Sequence, residues 1–189
     1  MPLRNTAQRY GSISVCLHWL MALGLFGLIA LGLWMTGLTY YSPYYTSAPF
    51  WHKSIGLLLA ALLLGRLGWR LINRKPEAVP GHKPWEITLS ATVHLLLYLL
   101  LAIIVISGYL ISTAKGQGIS LFGWFEVPAL VTGLPQQADR AGAVHYWVAM
   151  GVLGLVALHA LGALKHHWLD RDDTLRRMLG MRLNNTKES

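Results

Sequence analysis

An all-α, four-helix transmembrane bundle with both termini in the cytoplasm is the fold this sequence predicts, on three observations. Four apolar runs, about 12–38, 51–72, 87–112 and 141–168, each reach or exceed the roughly 20 residues that a helix needs to cross about 30 Å of hydrocarbon. The composition agrees: 54% of the 189 residues are hydrophobic and 13% charged, about half the charged share of a soluble domain. Aspartate and glutamate are absent from all four interiors, and the runs lack the short alternating pattern of β-barrel strands. The chain is read as a single membrane domain over 1–189.

The first run is too long for a signal-peptide core and no small-residue cleavage site follows it, so it is expected to persist as the first helix. Tyr40, Tyr41, Tyr44 and Tyr45 then fill an interfacial outer loop. The second run contains Arg66, the one Arg or Lys deep in a span. A polar turn near 76–84 leads to the third run. After it, a semi-apolar stretch at 119–134, broken by Gly123, Pro128 and Gly133, is short for a span and is expected to lie on the outer surface as a cap. The fourth run ends in a basic cluster. Cys16, the single cysteine, excludes a disulfide framework, an iron–sulfur cluster, a zinc ribbon and a Cys-x-x-Cys-His haem attachment, and is expected to be a small buried side chain.

Charge placement orients the bundle. Twelve basic residues flank one side: Arg4, Arg9, Arg70, Arg74, Lys75, Lys83, Lys165, Arg171, Arg176, Arg177, Arg182 and Lys187. Three, Lys53, Lys115 and Arg140, lie on the other. The positive side is cytoplasmic. The net charge of +8 is therefore an orientation signal, with membrane lipid as partner and no nucleic-acid footprint.

Five of the eight histidines, His18, His52, His94, His145 and His159, fall within spans. An ionisable ring in lipid is costly and marks a functional site by default. Fourteen residues separate His145 from His159, so both face within about 40° of one direction, roughly 21 Å apart along the axis. His52, at the start of an inward-running helix, shares the outer depth of His145. His18, early in an outward-running helix, shares the inner depth of His159, and His94 competes with it. Geometry alone leaves that choice open. Facing imidazoles at two depths suit two bis-histidine haems, which favour electron transfer over oxygen binding. Zinc lacks a completing cysteine or carboxylate in either pair, and a haem-free transporter would call for buried carboxylates. Gly56, Ala149 and Ala163, one turn from ligands, leave room for a flat ring, although small residues also serve plain helix packing.

The motifs Ser14-Val-Cys-Leu-His18-Trp19, His52-Lys53-Ser-Ile-Gly56, Arg66-Leu-Gly-Trp-Arg70, His145-Tyr-Trp147, Leu158-His159-Ala160 and Lys165-His166-His167, followed by Asp173-Thr-Leu-Arg176-Arg-Met178, occur in that order along nearly the whole chain. Together they resemble the bacterial dihaem cytochrome b561 family, which is related to the haem b subunits of membrane hydrogenases. The resemblance implies a bacterial inner-membrane protein with two haems b, held by His18 with His159 and His52 with His145. It favours His18 over His94 as the inner ligand. It further implies a membrane quinone such as ubiquinone as redox partner and, in its most specific version, oxidation of superoxide at the outer face. A haem b anchor relaying electrons for a partner dehydrogenase or hydrogenase is the alternative. Arg66 would hold a haem propionate or a quinone carbonyl, against the plainer reading of a side chain snorkelling to the interface. His166, seven residues beyond His159 and near the same face, would contact the quinone and supply a proton; as part of the Lys165–His167 cluster it also reads as an interfacial base. Lys53 and Lys115 would attract an anion at the outer face, although surface solvation explains each as simply.

Overall fold

The computed structural model describes residues 1–181 and 183. Arg182 and Lys187, two members of the basic cluster, lie outside the described residues. Four long helices run through the chain: α1 (Ser12–Met35), α2 (Ser47–Ile72), α3 (Pro84–Thr113) and α4 (Gln137–Trp168), followed by a short α5 (Thr174–Leu179). All four are long and apolar enough to cross a membrane.

Three of the helices outrun the apolar runs that signal them, while α1 ends at Met35, three residues short of its run. α2 starts at Ser47, α3 at Pro84 and α4 at Gln137. Hydropathy reports only the stretch immersed in hydrocarbon, whereas the polar first turns extend into the interface. At the start of α3, Pro84 occupies the first helical position, where its missing N–H costs nothing, and the Lys83 amide donates to Glu86 Oε2 at 2.9 Å. Two further findings refine the expectations. The outer stretch includes a small antiparallel hairpin, β1 (Ile119–Leu121) and β2 (Phe125–Val127), so the protein is not wholly helical. Cys16 is exposed on α1 rather than buried. Two residues from His18, it stands about 200° around the helix from it.

The hairpin caps the end of the bundle away from the Lys/Arg-rich one, here termed the outer end. Ile119 and Leu121 are buried, β1 packs on α2, and fully buried Ser54 donates to the Ser120 carbonyl while accepting from the Phe122 amide. Gln137 and Thr113 tie the rest of the loop down by donating to the carbonyl of Val131. These buried polar groups are satisfied, as they must be where water is excluded.

The opposite end is strapped by the terminal segments. Asn5 donates to the Arg74 carbonyl at 2.8 Å, and the Glu77 amide donates to the Ala7 carbonyl. Trp19 Nε1 donates to the Met178 carbonyl, and Arg177 donates to that of Glu77. The start of α1, the end of α2 and α5 are thereby joined at one end of the bundle.

α1 packs mainly on α2 and α3 mainly on α4, with α2 meeting α3 between the pairs. Among the described residues, α4 makes almost no close backbone approach to α1 or α2. Near mid-bundle, Met21, Leu25, Leu28, Leu59, Leu63, Leu101 and Val152 form one buried apolar cluster. Leu59 is 6% exposed and Leu64, on the same helix, 69%. Leu59→Ala should therefore destabilise the protein by about 2–5 kcal/mol. Leu64→Ala should stay within about 0.5 kcal/mol. Equilibrium unfolding in mixed micelles measures both.

Candidate functional site

On three helices one stripe repeats every seven residues, a spacing that returns to the same face within about 20°. α1 carries His18, Leu25 and Gly32; α2 carries His52, Leu59 and Arg66; α4 carries His145, Val152, His159 and His166. α1 and α2 run antiparallel, so Gly32 comes beside His52 and Arg66 beside His18. Leu25, Leu59 and Val152 fall into the apolar cluster between the two histidine levels.

At the outer level the rings of His52 and His145 have centroids 6.1 Å apart. His145 Nδ1 lies 3.0 Å from the Ile104 carbonyl and 3.2 Å from Ser107 Oγ. A ring nitrogen facing a carbonyl carries the hydrogen, so Nε2 is left with a free lone pair. Buried His52 Nδ1 has no hydrogen-bond partner. Two glycines make way for the rings: a Cβ on Gly32 would come 3.2 Å from His52 Cε1, and one on Gly108 3.2 Å from His145 Cε1.

At the inner level His18 and His159 have ring centroids 6.3 Å apart. His94 stands nearer still to His159, at 5.1 Å, with Nδ1 donating to the Ser90 carbonyl at 2.6 Å. Arg66 Nη2 lies 3.3 Å from His18 Nδ1 and Nε donates to Tyr98 Oη at 3.0 Å, while buried Nη1 has no partner. Arg66 therefore does not snorkel. It is held inside the bundle with one donor to spare.

Two metal–imidazole bonds of about 2 Å each, in line between two rings, place the ring centres roughly 6 Å apart. The His18–His159 and His52–His145 ring centres are 6.3 and 6.1 Å apart, and those of His94 and His159 5.1 Å. Open volume adjoins the outer level too, since a Cβ on Gly56 would meet nothing within 4 Å.

Beyond the inner level, His166 Nδ1 is 2.8 Å from Asp170 Oδ2 and 2.9 Å from Asp172 Oδ2. Burial pushes the Asp172 carboxyl up, but the hydrogen bonds from Thr174 and His82 and the charge of His166 outweigh it and hold the group below the usual aspartate value. Lys53 and Lys115 are exposed at the outer end, and Arg140 lines a groove between α3 and α4 with Ser107 and Gln137.

Sequence reading missed Gly32, Gly108, Ser107, Tyr98, His82 and Asp172. The seven-residue stripe carried a signal for Gly32. The rest come from α3 and the loops, whose rotation about the bundle no spacing reveals.

Comparison with known proteins agrees with this architecture. The family model described as prokaryotic cytochrome b561 matches residues 9–181. Cytochrome b561 homolog 2 of Escherichia coli strain K12 is 52% identical over 180 residues, covering 95% of this chain and 96% of that protein. The probable superoxide oxidase CybB of Yersinia pestis is 28% identical over 174 residues, covering 91% and 96%. Cytochrome b561 homolog 1 of Escherichia coli strain K12 is 28% identical over 132 residues, covering 69% and 74%. A match over nearly the whole chain, on four membrane-spanning helices with histidines facing inward, makes this protein a member of the prokaryotic cytochrome b561 family of membrane haem proteins.

Proposed function

We propose that this protein carries single electrons across a bacterial inner membrane, between a donor at the outer face and a quinone at the Lys/Arg-rich cytoplasmic end, with two bis-histidine haems b as cofactors. The observation that carries the reading is the facing of two imidazole pairs, 6.3 and 6.1 Å between ring centres, at two depths of one bundle. Haem b bound there supplies a one-electron iron centre with no open coordination position at each level.

The residues divide the work. His18 with His159, and His52 with His145, would hold the two haems. The Ile104 carbonyl and Ser107 fix the tautomer and rotation of His145, as outer partners of metal-bound histidines generally do. The unpartnered Nη1 of Arg66 suits a propionate or a quinone carbonyl. His166, backed by Asp170 and Asp172, can hold a proton at Nδ1 and present Nε2, on the far edge of the ring, to a quinone oxygen.

Superoxide is the donor we favour. A relative at 28% identity is named a probable superoxide oxidase, and Lys53 and Lys115 leave positive charge exposed at the outer end. Two superoxide ions would yield two molecules of oxygen and two electrons, which with two protons convert a quinone to its quinol. An inner pair of His94 with His159 is the second reading, favoured by the Ser90 carbonyl that leaves His94 Nε2 with a free lone pair.

Purified protein should show low-spin b-type spectra with about two haems per chain. His52→Ala or His145→Ala should delete one spectral component and His18→Ala or His159→Ala the other, while His94→Ala keeps both; loss of the inner component in His94→Ala would overturn the pairing. Gly108→Ala should perturb the outer component alone, because the added methyl meets the His145 ring at 3.2 Å, whereas Gly27→Ala, with nothing within 4 Å, should leave both unchanged. Stopped-flow mixing with superoxide and ubiquinone tests the donor. Lys53→Ala and Lys115→Ala should each slow reduction roughly twofold to tenfold at low ionic strength and less in high salt. No reduction by superoxide, with reduction by a co-purifying redox subunit instead, would mark the protein as a relay anchor.

A further inference from the structure

At the Lys/Arg-rich end, two regions far apart in the chain bring two imidazoles and a carboxylate to one point. His82 comes from the turn before α3, His166 from the last turn of α4, and Asp172 from the link between α4 and α5. His82 Nε2 and His166 Nδ1 each lie 2.9 Å from the same oxygen, Asp172 Oδ2. Their rings overlap, with centroids 4.4 Å apart and planes inclined by 35°. The other Asp172 oxygen, Oδ1, accepts from the Thr174 amide at 2.8 Å, which fixes the carboxylate's rotation. Thr174 Oγ1 stands 3.2 Å from His82 Nε2.

We propose that His82, His166 and Asp172 form a divalent-cation site of the zinc type. All three ligand atoms lie within 4.8 Å of one another, a separation compatible with bonds of about 2 Å to one central ion. Two imidazole nitrogens and a carboxylate oxygen are a donor set that zinc takes with a fourth ligand completing a tetrahedron. Water would take that fourth position.

Hydrogen bonding alone accounts less well for this convergence. One imidazole nitrogen carries at most one hydrogen, yet His166 Nδ1 faces both Asp170 and Asp172. Lys165 pairs with Glu86 and Asp170, each at 2.7 Å. The Asp172 side is left with imidazoles as its counter-charge, and a divalent cation supplies that charge without protonating them. Bound there, the ion would tie the α2–α3 turn, the end of α4 and the α4–α5 link together. It would engage His166 through Nδ1, taking the place of the proton held there in the metal-free protein and leaving the ring hydrogen on Nε2.

The test is zinc binding by isothermal titration calorimetry to full-length, tag-free, haem-loaded protein in detergent after removal of metal by a chelator. One zinc per chain is expected. His82→Gln and Asp172→Asn should each weaken it at least tenfold, a loss on the scale of about 10–100-fold that even an outer-shell partner causes. Far-UV circular dichroism and haem content serve as checks that the variants fold, and the near-isosteric Asp172→Asn guards against a His82 variant that does not. No saturable binding at micromolar zinc, or binding of equal strength in folded variants, would overturn the site.

Discussion

A polar ring inside hydrocarbon has to find its partners within the protein, because lipid offers no hydrogen bond in exchange. That constraint organises this bundle. His145 of α4 finds the Ile104 carbonyl and Ser107 on α3, so a single ring couples the two helices at the outer level. At the inner level Arg66 of α2 reaches His18 on α1 with one nitrogen and Tyr98 on α3 with another. The polar groups thus hold helices together where apolar side chains, equally content against lipid tails, have no net drive to associate. What these contacts leave over is as informative as what they satisfy. His52 Nδ1 and Arg66 Nη1 are buried without protein partners, one at each level.

Between those levels the seven-residue stripe changes character. The positions carrying histidine, glycine or arginine at either depth carry Leu25, Leu59 and Val152 in the middle. Val152 is fully buried and stands two helical turns from both His145 and His159. The polar levels are therefore separate compartments with an apolar partition, set by one repeat on three helices. α4 stays clear of the α1 and α2 backbones, and its imidazoles do the reaching across. Glycines matter at particular points of this arrangement. Gly32 and Gly108 sit against imidazole rings, with 3.2 Å left for any added carbon.

The two ends of the bundle are built differently. The outer end is closed by a hairpin anchored on Ser54, two residues from His52, so the cap and the outer imidazole share one turn of α2. The other end is closed by ionic and hydrogen-bonded straps from terminal segments, among which the His82, His166 and Asp172 cluster is the most convergent. One end is thus held mainly by hydrogen bonds to backbone carbonyls and amides, and the other by a network rich in titratable groups.

Much of this was legible in the chain itself. Apolar length specified four spans, because the hydrocarbon thickness leaves little latitude. Helical period placed His145, His159 and His166 on one face of α4 without any knowledge of a partner. Local sequence could not say how α3 is rotated about the bundle, and so left His18 and His94 as equals at one depth. The packed helices give the two rings different spacings, with His18 6.3 Å from His159 and His94 5.1 Å. Nor could it show Cys16 facing outward, the hairpin at 119–127, or the meeting of His82 with Asp172 across 90 positions. The physical reason is common to all of these. Span length, depth and helical face are properties of one helix in a slab of fixed thickness, whereas partner, distance and rotation are decided only when several helices share one interior.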